Sequence, residues 1–190
     1  MSTSFVTFKY QFDSGTGPFD GERYVRDIKM EILSQDEEGF PVDLIGKAAF
    51  KIIYVAEAID SGYDLYEIFD SDEYTFRHSQ AFFNFKTGEV KEAIQKYYEY
   101  EIMQSNICII EKIEILPEYR GCKIGAKAIK DIIFHFGSGI GLFVIQAFPL
   151  QFESKKKELD EWQKQLKLSC FPSQENIAFK KLKDYYTSFG

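Results

Sequence analysis

The chain has few of the residues that mark disulfide-linked, zinc-binding or membrane-spanning proteins. Its 190 residues include three cysteines and two histidines, and these form no CxxC or HExxH cluster. The odd number of cysteines and their wide spacing predict reduced thiols. No apolar run approaches the roughly 20 residues of a membrane span, and the N-terminal residues lack the basic and apolar regions of a signal peptide. We therefore expect a cytoplasmic protein with no metal site and no membrane contact.

Positive charge is also scarce. The formal net charge is -7, and the short lysine run at 155–157 is followed at once by acidic residues, which is typical of a solvated helix face. Because a nucleic-acid partner requires a basic surface, we expect none here. Hydrophobic residues make up 45% of the chain and charged residues 28%, as in an ordinary globular protein. The length favours a single domain, and the abundant aromatic residues either fill a core or line a groove.

The first half of the chain combines predicted strands with a helical segment. Alternating apolar residues predict strands at 5–12, 23–33 and 42–56, and the second and third of these pair as an antiparallel hairpin. From 60 to 104 the alternation fades, and apolar spacing of the helical kind replaces it. That spacing predicts short helices at 65–69, 73–83 and 89–100.

The second half of the chain predicts a strand–helix–strand unit. A strand at 107–116 ends at Pro117, a helix follows at 124–136, and a nearly all-apolar strand covers 142–148. Such a unit joins two parallel strands by a crossover helix. The apolar character of 142–148 predicts burial on both faces. Two further helices are predicted, at 154–168 and 173–186.

The turn between the first strand of this unit and its helix is the strongest candidate for a binding site. Arg120 and Gly121 lie in the turn, and Gly125 lies in the first turn of the helix. The free N–H groups at a helix start favour an anion, and glycine lets a phosphate approach the backbone closely. These features predict a diphosphate cradle, with an ordinary βα turn as the alternative.

The same residues resemble a known family. The stretch IEILPEYRGCKIGAKAI is similar to the central motif of the GNAT superfamily of N-acetyltransferases, in which an apolar-x-apolar-x-Pro strand end precedes Arg/Gln-x-x-Gly-x-Gly/Ala. Arg120 matches the first position of that motif and Gly125 the last, whereas Lys123 stands where the family usually has glycine. The other matching positions are Ile113, Ile115, Pro117, Tyr119, Gly121 and Ile124. A weaker resemblance lies around Tyr186, which is similar to the tyrosine of the family's late helix.

The resemblance implies an α+β fold with three layers: a mixed, mostly antiparallel central sheet, the strand–helix–strand cofactor unit and flanking helices. It implies that acetyl-CoA lies between the splayed strands 107–116 and 142–148, with its pantetheine arm paired to the backbone of Ile113, Glu114 and Ile115. The pyrophosphate would be held by the backbone of Gly121, Cys122, Lys123, Ile124, Gly125 and Ala126, with Arg120 supplying charge. A primary amine of a small molecule or a peptide would then attack the acetyl group directly.

Two proton transfers accompany this reaction, and three residues are candidates for them. Glu111 and Glu114 are candidate bases; alternation places them on opposite faces of the strand, and a β-bulge would change that assignment. Tyr186 is the candidate acid. The alternatives are a solvent-facing carboxylate for each glutamate and an ordinary packing role for the tyrosine.

The remaining predictions concern the acceptor and the end of the chain. The motif is also compatible with a catalytically degenerate acyl-CoA-binding or protein-interaction module of the same fold. We expect 60–104 to be a helical insertion that walls the acceptor site and favours a cationic or aromatic amine. Its aromatic residues are Tyr63, Tyr66, Phe69, Tyr74, Phe76, Phe82, Phe83 and Phe85. Because the chain ends at Gly190 inside the family pattern, the C-terminal end is predicted to be truncated, or the sheet to be completed by helices, by the strand 5–12 or by the second copy of a homodimer.

Overall fold

The architecture is a five-stranded sheet with helices on both faces, seen in a computed structural model that describes residues 5–14, 21–69, 73–99, 101–102, 104–153 and 159–189. The strands lie in the order β1-β2-β3-β4-β5. Their bounds are Val6–Gln11 (β1), Val25–Gln35 (β2), Pro41–Ile53 (β3), Ile107–Ile115 (β4) and Leu142–Ile145 (β5). Neighbouring strands from β1 to β4 are antiparallel, and β5 is parallel to β4. The predicted hairpin, the parallel pair and the mixed, mostly antiparallel α+β sheet are therefore confirmed.

Seven described segments are α-helical. They are α1 (Val55–Asp60), α2 (Leu65–Phe69), α3 (Glu73–Phe82), α4 (Glu92–Gln95), α5 (Ile124–Phe136), α6 (Glu161–Gln165) and α7 (Glu175–Thr187). Short 3-10 turns lie at Gly21–Tyr24, Pro117–Tyr119, Leu150–Phe152 and Leu168–Cys170. None of the helices in the described ranges is both long and apolar enough to cross a membrane.

Each face of the sheet is covered differently. On one face, α5 buries Ile124, Ala128 and Ile132 against strand residues such as Phe50 and Ile110. On the other face, α1 and α2 cover only the end of the sheet that carries Ile53, Ile107 and Ile109. The rest of that second face is polar. The site described below lies where this polar part meets the edge between β4 and β5.

Two helix predictions were wrong in extent. The helix predicted at 89–100 shortens to α4, because Val90 forms an antiparallel bridge with Phe83 and the Lys91 N–H donates to the Phe82 carbonyl. The helix predicted at 154–168 contains only α6, and residues 154–158, with the lysine run, lie outside the described residues. By contrast, the bounds predicted for α2 and α5 match the structure.

The strand β5 is shorter and less buried than its apolar sequence predicted. It ends at Ile145, and of its four residues only Leu142 is buried, while the others are half-buried. Within the described chain, β4 is its one paired neighbour. The strand β1 lies at the opposite edge, so it does not complete the sheet beside β5.

Candidate functional site

A cavity opens where β4 and β5 separate. The two strands pair from Ile107 with Leu142 to Ile110 with Ile145. Beyond that point β4 continues to Ile115, whereas the chain after Ile145 turns away. The gap holds a cavity of about 550 Å³, walled by the end of β4, the turn before α5, the segments 146–151 and 166–172, and α7. Most of its wall is apolar, with Ile113, Ile115, Phe148 and Leu182 among the lining residues, and its volume is within the range of small-molecule and cofactor pockets.

A β-bulge sets the direction of Glu111 at one end of this cavity. Phe50 pairs with Ile110 and Ala49 with Lys112, so Glu111 is the extra residue on β4. Its carboxylate lies 3.6 Å from the Lys51 ammonium, which also contacts Asp27 at 3.0 Å. The Lys51 side chain is only 15% exposed. Glu111 therefore reaches the cavity next to a nearly buried cation, on the sheet face opposite α5.

Glu114 has a different environment. It is 8% exposed, and its Oε2 accepts a hydrogen bond of 2.9 Å from the Trp162 indole N–H. Its other oxygen lies 3.7 Å from the Lys112 ammonium. Ala48 and Phe50 are buried beneath α5, so the alternate residues Lys47 and Lys51 of β3 point to the opposite face. Glu114 is the register partner of Lys47 and Glu111 contacts Lys51, so both glutamates face the side of the sheet opposite α5. The simple alternation that placed them on opposite faces is wrong because the bulge shifts it by one residue. The contacts of Glu114 attach α6 to the sheet.

The other end of the cavity is the start of α5. No side chain of the described residues caps this helix, so the N–H groups of its first turn remain available as donors. Gly121 has a φ of 80°, and a Cβ built there meets nothing within 4 Å. Cys122 and Lys123 are exposed, Ala126 is half-buried, and Ile124 is buried beneath the turn. From Gly121 to Lys123 the turn therefore presents its backbone on an open surface at the cavity wall.

Lys123 is in a conformation that favours glycine. It is the N-cap of α5 with a φ of 58° and a ψ of 19°, in the left-handed region. A non-glycine residue there costs roughly 1–2 kcal/mol, and glycine's extra chain entropy offsets roughly half of that. The left-handed conformation at this position thus explains why the motif that this stretch resembles has glycine there.

We expect Lys123→Gly to raise the free energy of unfolding by about 0.5–1 kcal/mol, because it relieves the left-handed strain. For a chain of this size that corresponds to an increase of about 1–4 °C in Tm, measurable by calorimetry. Lys167→Gly is the matched control, since Lys167 also has a positive φ of 45° but is not part of the cavity wall. Stabilisation by Lys167→Gly alone would contradict the assignment of strain to Lys123.

Arg120 is bound by the protein itself. Its Nε donates to the Ile115 carbonyl at 2.9 Å, its Nη2 donates to the Leu166 carbonyl, and its guanidinium lies 4.5 Å from the centre of the Phe171 ring. Arg120 thus joins the end of β4 to the segment 166–172. This differs from the sequence-based expectation of a guanidinium that pairs with phosphate, and it leaves the backbone N–H groups as the main anion donors of the turn.

Two adjacent tyrosines of α7 line the cavity at different depths. The Tyr185 hydroxyl lies 2.8 Å from the position of a Cβ built on Gly125, so it covers the first turn of α5. The Tyr186 hydroxyl makes no hydrogen bond to a residue that the structure describes. Burial, and secondarily the neighbouring Tyr185, raises the pKa of Tyr186 to about 12. Tyr186 is therefore a protonated donor at neutral pH.

The helical segment 60–104 does not form the wall that was expected. No described residue of this segment lines the cavity. Its aromatic side chains pack on one another instead: Phe69 lies 5.7 Å from Phe83 and Tyr66 lies 4.8 Å from Phe85 between ring centres. The side chain of Tyr74 lies outside the described part of the chain. Hydrophobic packing against the sheet explains this aromatic content better than an acceptor site.

Sequence reasoning missed two residues of the site, Lys51 and Trp162. Lys51 lies in a strand with ordinary alternation, and nothing in that pattern distinguishes it from a solvent-facing lysine. Trp162 is the one tryptophan of the chain, and a buried tryptophan usually needs a hydrogen-bond acceptor. The presence of a single tryptophan was the feature of the sequence that could have indicated this contact.

The three cysteines lie apart from Lys51 and Trp162. Cys108 is buried, and burial raises its pKa to about 12, which leaves its thiol inert.

No protein-family model matches the chain. No curated protein and no solved structure matches it either. The geometry of the cavity is therefore the basis for the functional proposal.

Proposed function

We propose that the chain is an acetyl-CoA-dependent N-acetyltransferase with the GNAT arrangement, formed as a single domain in which 60–104 is an added helical segment. The observation that carries this proposal is the cavity between β4 and β5, which has Glu111 at one end and the uncapped start of α5 at the other. Acetyl transfer from this cofactor requires an anion site, a narrow apolar channel and a base, and we assign these roles to the start of α5, the apolar wall and Glu111.

The residues fit the three parts of the cofactor. The N–H groups at the start of α5 suit a diphosphate, because the helix dipole and the free donors act together. Beyond Ile145 the cavity-facing edge of β4 has no described strand beside it, so its backbone can pair with the amides of a pantetheine arm, as in β-strand addition. The apolar wall from α7 and segment 146–151 keeps water from the thioester. Lys123 and Lys181 at the wall add positive charge near the diphosphate.

Glu111 is the proposed base and Tyr186 the proposed acid. The acceptor ammonium gives a proton to the Glu111 carboxylate, and the neutral nitrogen attacks the thioester carbonyl carbon. The C–N bond forms, the C–S bond breaks, and the leaving thiolate takes the hydroxyl proton of Tyr186. The acylated nitrogen then releases its second proton, which restores the Tyr186 hydroxyl. The Lys51 ammonium, 3.6 Å from the Glu111 carboxylate, fixes the position of this base by an ion pair.

The second candidate function is acyl-CoA binding without catalysis. Two observations favour it: the Arg120 guanidinium is bound by the Ile115 and Leu166 carbonyls, and the Tyr185 hydroxyl covers Gly125. Both features narrow the anion site. Binding would then serve to retain or sense the thioester, and no amine would be acetylated.

Thermal unfolding with and without acetyl-CoA tests both candidates. A ligand at 100 times its Kd stabilises by roughly 2.7 kcal/mol, so we expect an increase of about 5–10 °C in Tm for a chain of this length. Acetyl-pantetheine, which lacks the nucleotide and diphosphate, is the matched ligand and should give a much smaller shift. The absence of a shift with millimolar acetyl-CoA would contradict both candidates.

Release of free CoA in the presence of amines separates the two candidates. The acetylated amine should be measured by mass, because the exposed thiols of Cys122 and Cys170 would react with a thiol reagent. Tight binding of acetyl-CoA with no acetylated product from any amine would favour the binding module.

A further inference from the structure

A polar groove lies on the sheet face opposite α5, next to the cavity. We call it the lysine groove. Its volume is about 510 Å³, and its charged residues come from four strands and from the N-cap of α6. These residues are Lys9, Lys29, Glu31, Lys47, Lys112, Glu114 and Asp160, with Trp162 at the side. Met30 and Ala48 contribute only backbone to the floor, because their side chains are buried in the core beneath α5.

The lysine groove and the cavity share part of their lining. Lys112 and Glu114 line both, and Glu111 precedes Lys112 on β4. Because Glu111 contacts Lys51 on the same sheet face, a molecule in the groove lies on the face that carries this carboxylate. An acceptor that enters from this side meets the thioester end of the cavity, whereas the diphosphate end lies at α5.

Two lysines of the groove can converge on one anion. Lys29 pairs in register with Ala49, and Ala49 pairs with Lys112. Neighbouring strands are about 4.8 Å apart, so the two lysine backbones are separated by roughly 10 Å with only a methyl group between them. Both ammonium groups can reach the space above Ala49 on their flexible stems. Lys29 has no ion pair with a residue in the described ranges.

The carboxylates of the groove already contact groups of the protein. Glu114 accepts from the Trp162 indole and its other oxygen lies 3.7 Å from the Lys112 ammonium, while Asp160 accepts from the Gln163 backbone N–H at 2.7 Å as the N-cap of α6. The described lining holds four lysines and three carboxylates, so the groove has an excess of positive charge in a chain whose net charge is -7.

Two carboxylates lie on the same sheet face as Lys29. Asp27 precedes Lys29 by two residues on β2, which is about 7 Å along the strand. Asp27 and Glu111 both contact Lys51. The face thus presents the carboxylates of Asp27 and Glu111 together with the lysines of the groove. A ligand that complements both has an ammonium group and an anion a few bonds apart.

We propose that the acceptor is a small zwitterionic amine, whose nitrogen lies at Glu111 and whose carboxylate or phosphate lies between Lys29 and Lys112. The proposal rests on the acetyltransferase function proposed above. It replaces the cationic or aromatic amine that the sequence predicted, because the aromatic segment 60–104 contributes no described residue to the cavity wall. Trp162 limits the size of the acceptor on the side of α6.

The test compares acceptors that differ in one group. Initial rates are measured at saturating acetyl-CoA with β-alanine, phosphoethanolamine, propylamine and putrescine. We expect kcat/KM to be at least tenfold higher for one or both of the anionic amines than for propylamine, because a charge-assisted contact contributes that much. The carboxylate and phosphate arms distinguish the two anions, and putrescine tests a dication.

Two variants locate the effect. Lys29→Met should lower kcat/KM for the preferred anionic amine by about tenfold, mainly through KM, while the rate with propylamine and the affinity for acetyl-CoA stay the same. Lys86→Met removes an exposed lysine outside the groove and the cavity, and it should leave kcat/KM for every amine unchanged.

Retained selectivity in Lys29→Met, or putrescine as the best acceptor, would overturn the proposal while leaving the acetyltransferase function intact. An absence of transfer to all four amines, with acetyl-CoA bound, would instead overturn the proposed transferase function, and the acceptor proposal with it.

Discussion

Replacing Glu111 with glutamine is expected to lower kcat by about 10²–10⁴-fold, the usual contribution of a general base. The amide keeps the size of the side chain and its place on the bulge, but it cannot accept the ammonium proton. Steady-state rates with acetyl-CoA saturating measure this loss.

Glu114→Gln is the matched control for this substitution. It is the same isosteric change three residues along β4, in a side chain whose Oε2 accepts from Trp162. An amide oxygen still accepts that bond, so we expect little change in kcat. If Glu114→Gln lowered kcat by this factor and Glu111→Gln did not, the two roles would be reversed. Equal rates in both variants and the unchanged enzyme would leave the reaction without a side-chain base.

Replacing Gly125 with glutamate is expected to abolish measurable binding of acetyl-CoA. A Cβ at this position lies 2.8 Å from the Tyr185 hydroxyl, which is the end of a side chain that is 42% exposed and free to turn aside. The new carboxylate then lies at the start of α5, where it competes with the diphosphate for the same N–H groups. A negative charge near a helix N-terminus stabilises the helix by about 0.3–1 kcal/mol, so the fold should survive.

Calorimetric titration measures this loss, and circular dichroism checks the fold. Ser138→Glu adds the same charge on an exposed residue just beyond the other end of α5, and it should bind acetyl-CoA as the unchanged chain does. Gly125→Ala separates size from charge, because its methyl group requires only a small movement of Tyr185. Unchanged affinity in Gly125→Glu would remove the start of α5 from the binding site.

The elements of the sheet could be predicted because their patterns are local. The apolar run of β4, the stop at Pro117 and the amphipathic face of α5 are each visible in the sequence, and their order implies a parallel pair. The bulge at Glu111 could not be placed, because it depends on how β3 registers against β4. For the same reason the faces of Glu111 and Glu114 were misassigned.

The directions of long side chains also could not be predicted from the sequence. Arg120 lies in the expected turn, but the partners of its guanidinium are carbonyls of Ile115 and Leu166, and Leu166 is distant in sequence. Some aromatic residues of 60–104, such as Tyr66 and Phe69, lie on a predicted helix, whereas Phe83 and Phe85 lie beyond the end of α3. The sequence did not show that these rings pack on one another. In both cases tertiary contacts determine the partners of a side chain, and the residue type alone does not predict them.

Trp162 makes the chain its own spectroscopic probe. It is the single tryptophan, its indole N–H donates to Glu114, and the Lys47 ammonium lies 4.4 Å from the ring centre. Indole emission responds to the charges and to the water around the ring. An acceptor in the lysine groove would alter both, whereas a nucleotide at α5 would not touch the ring directly. Selective excitation of this indole therefore reports occupancy of the groove without a label, and the two binding events can be followed separately in one sample.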